Sequence, residues 1–252
     1  MNNSVFIKNR ENLINQTDDD SILIAFAGHA PKKTGDELYQ FTQNRNFYYL
    51  TGIVEPHHIV VLSKIKGKVT EKLFLKEINL DEEMWNGKTL RDTEGKDISG
   101  IKEVVYMNDF YSYLNSQIKG TEQINLYLDL DKENIEEDDS EALKFSKEMR
   151  NKYPQIVIKN FSNKIIPLRM IKSDEEINEM KKAIEIDGVD CFGFLTWGPI
   201  DILSSQGEMK KRYGFIYVDR EEFDLKTLDR YRKDSFYWYK KVIATNGEDL
   251  TD

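Results

Sequence analysis

Cysteine is nearly absent from this chain. Cys191 is the only one in 252 residues, so no intrachain disulfide can form and a zinc–thiolate site has no partner ligands. Histidine is almost as scarce: His29, His57 and His58 all precede residue 60, and none follows. No apolar run approaches the roughly 18 residues of a membrane-spanning helix, and the opening MNNSVFIKNR lacks the apolar centre of a signal peptide. A basic cluster is missing too. Thirty-six Lys and Arg stand against 45 Asp and Glu, for a net charge of −9, and the densest basic stretch is KKRYGF at 210–215. Phosphate-backbone binding needs a clustered basic face, so nucleic acid is not expected as the main partner, and no membrane partner is expected either. These absences describe a soluble, cytoplasmic protein without repeats or low-complexity linkers.

What is present alternates. SILIAFAG at 21–28 is an apolar run ending in Gly, as in a buried strand. FYYLTGI and HHIVVLS are β-rich and separated by the turn signal Glu55-Pro56. EKLFLKEI alternates, with Leu73 and Leu75 on one face and Phe74 on the other, and KEVVYMND and INLYLDL read as further strands. Helices are expected at 5–15, 108–118 and about 138–151, and the acid run at 131–141 as an exposed loop and helix start. Strands alternating with helices describe an α/β domain with a mixed sheet over roughly 1–165. Pro167 then punctuates the chain. Behind it, SDEE at 173–176 is a capping box, and Ile177, Met180 and Ile184 run as one stripe down the next helix. FGFLTW (192–197) and YGFIYVD (213–219) are expected as strands, and DSFYWYKKVIATNG as an aromatic-rich helix from Asp234 or Ser235 to Asn246-Gly247.

ELYQFTQNRNFYYLTGIVEP at 37–56 resembles a segment of the N-terminal domain of aminopeptidase P and its prolidase and creatinase relatives. FIKNRENLI and the junction KIIPLRMIKSDEEINEMKKAIEI fit the same family, so the resemblance covers about residues 1–186. From Gly188 onward, GVDCFGFLTWGPIDILSSQGEMKKRYGFIYVDREEFDLKTLDRYRKDSFYWYKKVIATNGEDL is similar to the last part of a 6-phospho-β-glucosidase of glycoside hydrolase family 1. MKKAIE at 180–185 suits both families, and a join through this short shared stretch makes a chimeric reading frame. The fold implied is a creatinase/prolidase N-terminal-like domain, a mixed sheet flanked by helices, over 1–165. A linker and first helix of a missing pita-bread domain span 166–187, and an incomplete fragment of a (β/α)8 barrel spans 188–252.

Neither family's chemistry is expected to survive. The aminopeptidases hold two metal ions with Asp, His and Glu of their catalytic domain, and no His follows residue 58 here. No metal site and no cofactor is expected in this chain; manganese belongs only to an intact family member. Adjacent His57 and His58 are read as structural, one inward and one solvated, because neighbours in a strand face opposite sides. Asp129 and Asp131 in LDLDKEN are read as a solvated strand terminus. A retaining glycosidase needs two carboxylates about 5–5.5 Å apart. Its Asn-Glu-Pro and Glu-Asn-Gly segments find only VEP at 54–56 and TNG at 245–247, both read as coincidence, so no catalytic residue is assigned.

One fragment of a site remains by resemblance. Family members that take phosphorylated sugars hold the 6-phosphate with Ser, Lys and Tyr after the eighth strand, and Ser205, Lys211 and Tyr213 match, with Ser204 open as the alternative serine. An ammonium and two hydroxyls offer charge-assisted hydrogen bonds to a dianion. Trp197 matches a residue lining the sugar subsite; read without the resemblance, the stretch is a polar loop ahead of a strand and Trp197 is simply core. The short tail, with its cluster Phe236, Trp238, Tyr239, Val242 and Ile243, is expected to be a poorly anchored appendage. The chain is therefore expected to be a non-catalytic N-terminal domain of a Xaa-Pro aminopeptidase family with a truncated glycosidase tail, able to form a homo-oligomer through its first domain. The other readings are a residual sugar-phosphate binder and a chimeric frame with no selected function.

Overall fold

The chain divides into two units, Met1–Gly188 and Val189–Asp252, in a computed structural model that describes residues 2–251 apart from 133, 135, 191, 192, 194 and 206. The first unit opens with α1 (Asn3–Ile14) and β1 (Ser21–Phe26), then a small hairpin, β2 (Lys32–Thr34) and β3 (Glu37–Leu38). Helix α2 (Arg45–Thr51) leads into the long antiparallel pair β4 (Ile59–Ile65) and β5 (Lys68–Leu75). Two short helices follow, α3 (Leu80–Asn86) and α4 (Asp92–Ser99), then β6 (Val104–Tyr106), α5 (Phe110–Ile118) and β7 (Ile124–Leu128). The unit closes with α6 (Glu141–Lys152), β8 (Ile156–Asn160), α7 (Ser162–Met170) and α8 (Asp174–Glu185).

The six-stranded sheet runs β6-β5-β4-β1-β7-β8. Strand β4 is antiparallel to both its neighbours; β1, β7 and β8 are mutually parallel, as are β5 and β6. The sheet is mixed, as the alternation of strands and helices implies. Every residue of β1 is buried, because helices cover both faces of this central strand, which accounts for its unbroken apolar run. On one face Leu23, Ala25, Leu73 and Leu75 pack with Phe47 and Leu50 of α2 and Leu13 of α1. On the other, Ile22, Ile24 and Phe74 pack with Phe110 and Leu114 of α5 and Phe145 of α6. The alternation in EKLFLKEI is therefore read out faithfully.

The β-rich reading of FYYLTGI is overturned: this segment is helix α2. The Asn44 side chain accepts from the Asn46 and Phe47 amides, and Gly52 ends the helix in the left-handed conformation at φ 73°. A Cβ on Gly52 would also meet the Phe6 ring at 2.3 Å, so the position demands glycine twice over. Pro167 does not interrupt the chain as expected but sits inside α7. Strand β8 and helices α3 and α4 add to the elements expected from the sequence pattern, and α4 is closed by Gly100 at φ 72°. The capping box of α8 is formed as read: the Glu176 amide donates to Ser173 Oγ at 3.3 Å, and the Ser173 amide donates to Glu176 Oε2 at 2.8 Å.

The buried charge of the first unit is Arg10, whose side chain has no solvent exposure. Its Nη1 donates to Leu50 O at 2.7 Å and Ser99 O at 2.9 Å, in the last turns of α2 and α4, and Nη2 lies 3.0 Å from Glu71 Oε2 on β5.

The second unit is small. Strand β9 (Ile216–Val218) pairs antiparallel with β10 (Arg230–Arg232), and α9 spans Asp234–Ala244. The strand expected at 213–219 shrinks to three residues, and its partner β10 went unassigned. Of the strand expected at 192–197, residues 192 and 194 lie outside the described residues, and Gly193, Leu195, Thr196 and Trp197 are not in a strand. Helix α9 starts at Asp234 as read and closes through Gly247, whose amide donates to Val242 O at 2.8 Å. Phe215 stacks on Tyr239 with centroids 4.5 Å apart, so part of the aromatic cluster packs within its own unit.

Two predictions follow from these charges. Arg10→Met leaves two helix-end carbonyls and Glu71 without their cation, and is expected to cost about 3 kcal/mol of stability, read as a lowered urea midpoint of the first unit. Glu83 accepts both guanidinium arms of Arg91 at 2.6 and 2.8 Å, and Arg91 holds its carboxyl down from 4.5 to about 2. A depressed carboxylate stabilises the fold above its unfolded pKa and stops doing so as pH falls through its folded one. The connection between α3 and α4 is therefore expected to loosen between pH 4.5 and about 2, followed by amide exchange at Thr89, whose N–H donates to Glu83 at 2.9 Å.

Candidate functional site

In the second unit the loop carrying the sequence-matched residues is organised by Asp201, whose side chain is fully buried. Lys233 Nζ donates to its Oδ1 at 2.7 Å and to the carbonyls of Arg212 and Gly214 at 3.0 and 2.7 Å. The Gly214 amide donates to the same carboxylate oxygen at 3.0 Å, and Arg212 Nη1 lies 3.5 Å from Oδ2. A Cβ at Gly214 would stand 2.1 Å from the Ile200 carbonyl carbon, so only glycine permits this approach. Nothing in the sequence pointed to Asp201, because its partner Lys233 lies 32 positions away.

Around this anchor, Trp197 and Tyr213 lie with ring centroids 5.8 Å apart. Lys211 Nζ is 2.8 Å from Glu208 Oε2, and this carboxylate holds the ammonium above its usual range, with Tyr213 a smaller contributor. Ser204 is buried: its hydroxyl accepts from the Glu208 amide at 3.1 Å, and its own amide donates to Glu208 O at 3.0 Å. Ser205 is exposed on the same turn. The fold thus brings Trp197, Lys211 and Tyr213 together. Trp197 is 63% exposed, which corrects the reading of it as core.

The first unit's tempting residues are architectural. His58 is buried, accepts from the Lys76 amide through Nδ1 at 3.0 Å, and has Nε2 3.8 Å from Glu55. His57 is exposed and stacks on His29. One inward and one outward is as read, but the cause is a turn with φ 63° at His57 and not the alternation of a strand. Glu55, of the Glu-Pro echo, accepts from the Leu90 amide at 3.0 Å. His58 first, and that amide next, hold Glu55 below the usual carboxylate range. Asp129 corrects the solvated-terminus reading: it is half-buried and accepts from Asn46 Nδ2 and Ser162 Oγ, both at 2.7 Å. Asp131 accepts from Asn160 Nδ2 at 2.7 Å. Among the described residues, no group of three or more His, Cys, Asp or Glu side chains is placed to hold a metal ion, and no helix is long and apolar enough to cross a membrane.

Sequence reading missed a cleft of about 730 Å³ where β1, β5 and β6 end and α5 and α6 begin. Its floor is Phe26, Ile59, Phe110 and Phe145. Only the fold could reveal it, since its lining comes from segments spread between residues 26 and 148.

Comparison with known proteins divides the chain in the same order. Residues 6–127 match the family described as Aminopeptidase P, N-terminal domain, and residues 167–248 match Glycosyl hydrolase family 1. A structure from Bacillus anthracis assigned as an aminopeptidase P is 38% identical, with a TM-score of 0.69, over 84% of this chain and 50% of that one. An aryl-phospho-β-D-glucosidase of Bacillus subtilis is 54% identical over 85 residues, 33% of this chain and 18% of its own length. The 6-phospho-β-glucosidase of Escherichia coli is 58% identical over 77 residues, 30% of this chain and 16% of its own. The chain thus spans half or less of each relative.

Asp201→Asn removes the charge that Lys233 is folded around. It is expected to cost the second unit about 3 kcal/mol and to release Trp197 and Tyr213 from each other, read as a shift in tryptophan emission with the first unit's unfolding unchanged.

Proposed function

We propose, from the premise that an aminopeptidase P N-terminal-type domain here runs directly into a glycosyl hydrolase family 1 segment, that this chain is a cytoplasmic, non-catalytic domain that carries neither parent's reaction. The observation behind the reading is the change of family between residues 127 and 167. Where a metallopeptidase domain follows in relatives, the next stretch here matches a glycosidase at 54–58% identity. The metal pair of an intact Xaa-Pro aminopeptidase needs a histidine from that domain, and this sequence has none beyond His58. Added manganese is therefore expected to produce no hydrolysis of Xaa-Pro peptides; turnover scaling with manganese refutes the reading. Self-association through the first unit is part of the proposal, and sedimentation is expected to show a species larger than the monomer; a monomer at all concentrations refutes that part. The join itself belongs to a chimeric reading frame. One long DNA read across codons 175–195 should reproduce it, and an ordinary aminopeptidase continuation after Ile186 refutes it.

A second reading rests on the proximity of Trp197, Tyr213 and Lys211. With Ser205 they would meet a sugar 6-phosphate, the rings covering the sugar and the ammonium facing the dianion. Glu208 decides the affinity. Its carboxylate already holds Lys211 at 2.8 Å, so an incoming phosphate meets a negative charge before it meets the lysine. A 6-phosphoglucoside followed by tryptophan fluorescence is expected to bind no tighter than about 1 mM, and Glu208→Gln to tighten it. Micromolar binding by the unaltered chain, or no gain in that variant, refutes the account.

A further inference from the structure

Helices α1, α2, α7 and α8 of the first unit enclose a small pocket of about 190 Å³. The chain carries a net charge of −9, yet this lining is cationic. Arg45 opens α2, Arg169 lies in the last turn of α7, and Lys172 stands just beyond it. One acid lines the pocket with them, Glu176 of α8. Three cations against one carboxylate leave a local charge of +2. Phe6 and Tyr48, with ring centroids 6.0 Å apart, add an aromatic wall.

The cations are not spent elsewhere. Arg169 Nη1 donates to Asn46 Oδ1 at 2.7 Å, a neutral partner. Asp129, behind Asn46, is occupied by Asn46 and Ser162. Lys172 Nζ donates to the Arg169 carbonyl, which is also neutral. Among the described residues none of the three cations forms an ion pair, and the Arg45 side chain has no hydrogen-bond partner. The acid, by contrast, is committed: Glu176 Oε2 accepts from the Ser173 amide at 2.8 Å in the capping box of α8. The neutral lining points the same way. Asn9 and the Tyr49 hydroxyl already donate to backbone carbonyls, whereas the Tyr48 hydroxyl and the Gln43 amide remain as donors. The adjoining pocket adds Lys8 and Glu175, which act on each other and leave the sum unchanged. Two planar guanidinium forks and an ammonium suit a phosphoryl dianion, with its three acceptor oxygens. A monocarboxylate answers only half of the charge.

We infer that this pocket binds a phosphoryl dianion, free phosphate or the phosphate of a small monoester, between Arg45, Arg169 and Lys172. Titrating the full chain with phenyl phosphate at about pH 7.5, where the group is dianionic, tests it by NMR. Saturable shifts at Phe6 and Tyr48 are expected, with a Kd of about 1 mM at low salt. Inorganic phosphate binding within about threefold of that value assigns the site to phosphate itself, and weaker binding assigns it to the monoester. Benzoate, a ring with a single charge, is expected to bind at least about fivefold more weakly than phenyl phosphate. Arg45→Gln is expected to weaken phenyl phosphate about fivefold with spectra otherwise unchanged. Glu176→Gln keeps an acceptor for the Ser173 amide and is expected to tighten binding about threefold. The inference is overturned if benzoate binds as well as phenyl phosphate, or if no saturation is reached by about 10 mM. It is overturned equally if shifts fall only at Trp197 and Tyr213 of the second unit, or if either variant leaves the affinity unaltered. Neither Xaa-Pro hydrolysis nor the Lys211 loop enters this readout, so its outcome is independent of the proposals above.

Discussion

Arg10 is the largest fully buried side chain in the first unit, and it is charged. Its guanidinium meets the carbonyl ends of α2 and α4, where the helix dipoles concentrate negative charge, and its second arm faces Glu71 on β5. One group thereby fixes the place of α1 against two helices and the sheet. Nε and Nη2 find no aligned hydrogen-bond acceptor among the described residues, so the ion is held by charge and enclosure more than by ideal geometry. Asn9, beside it, donates to Tyr49 O at 2.9 Å and repeats the tie to α2. The second unit uses the opposite sign for the same end, with buried Asp201 gathering Lys233, Arg212 and the Gly214 amide. In both units a buried ion removed from water admits few arrangements of its partners, which specifies the packing around it.

The same economy places the residues that look catalytic within hydrogen bonds of the fold. Asp129 sits in a chain of hydrogen bonds from Arg169 through Asn46 to Ser162, joining α2, the end of β7 and α7. Glu55 and His58 close the turn ahead of β4 against Leu90. Each carboxylate has its lone pairs occupied by donors of the fold, leaving little for a substrate.

The tail, which is similar to the end of glycosyl hydrolase family 1 proteins, has a setting of its own. Strand β9 has β10 on one side and a single parallel bridge from Ile200 on the other, where a barrel strand has two full ladders. Its loop still aligns Trp197 with Tyr213, because Asp201 and Gly214 set that geometry within some fifteen residues. Lys211 is paired with Glu208 three positions away.

The sequence by itself determined whatever rests on local periodicity and local caps. The central apolar run of β1, the two-faced alternation of β5 and the capping box of α8 were all legible, because neighbours a few positions apart carry each signal. What escaped was whatever rests on distant partners. FYYLTGI has strand-like residues, yet Phe47 and Leu50 fit the core only as a helix started by Asn44 and stopped by Gly52. The stripe Ile177, Met180 and Ile184 was correctly read as amphipathic, yet these residues stay 39–59% exposed, since amphipathicity records a demand for a partner and not its presence. Arg10, Asp201 and the cleft were invisible for one reason. Burying a charge or shaping a cavity needs groups separated by tens of residues, and only the folded chain brings those together.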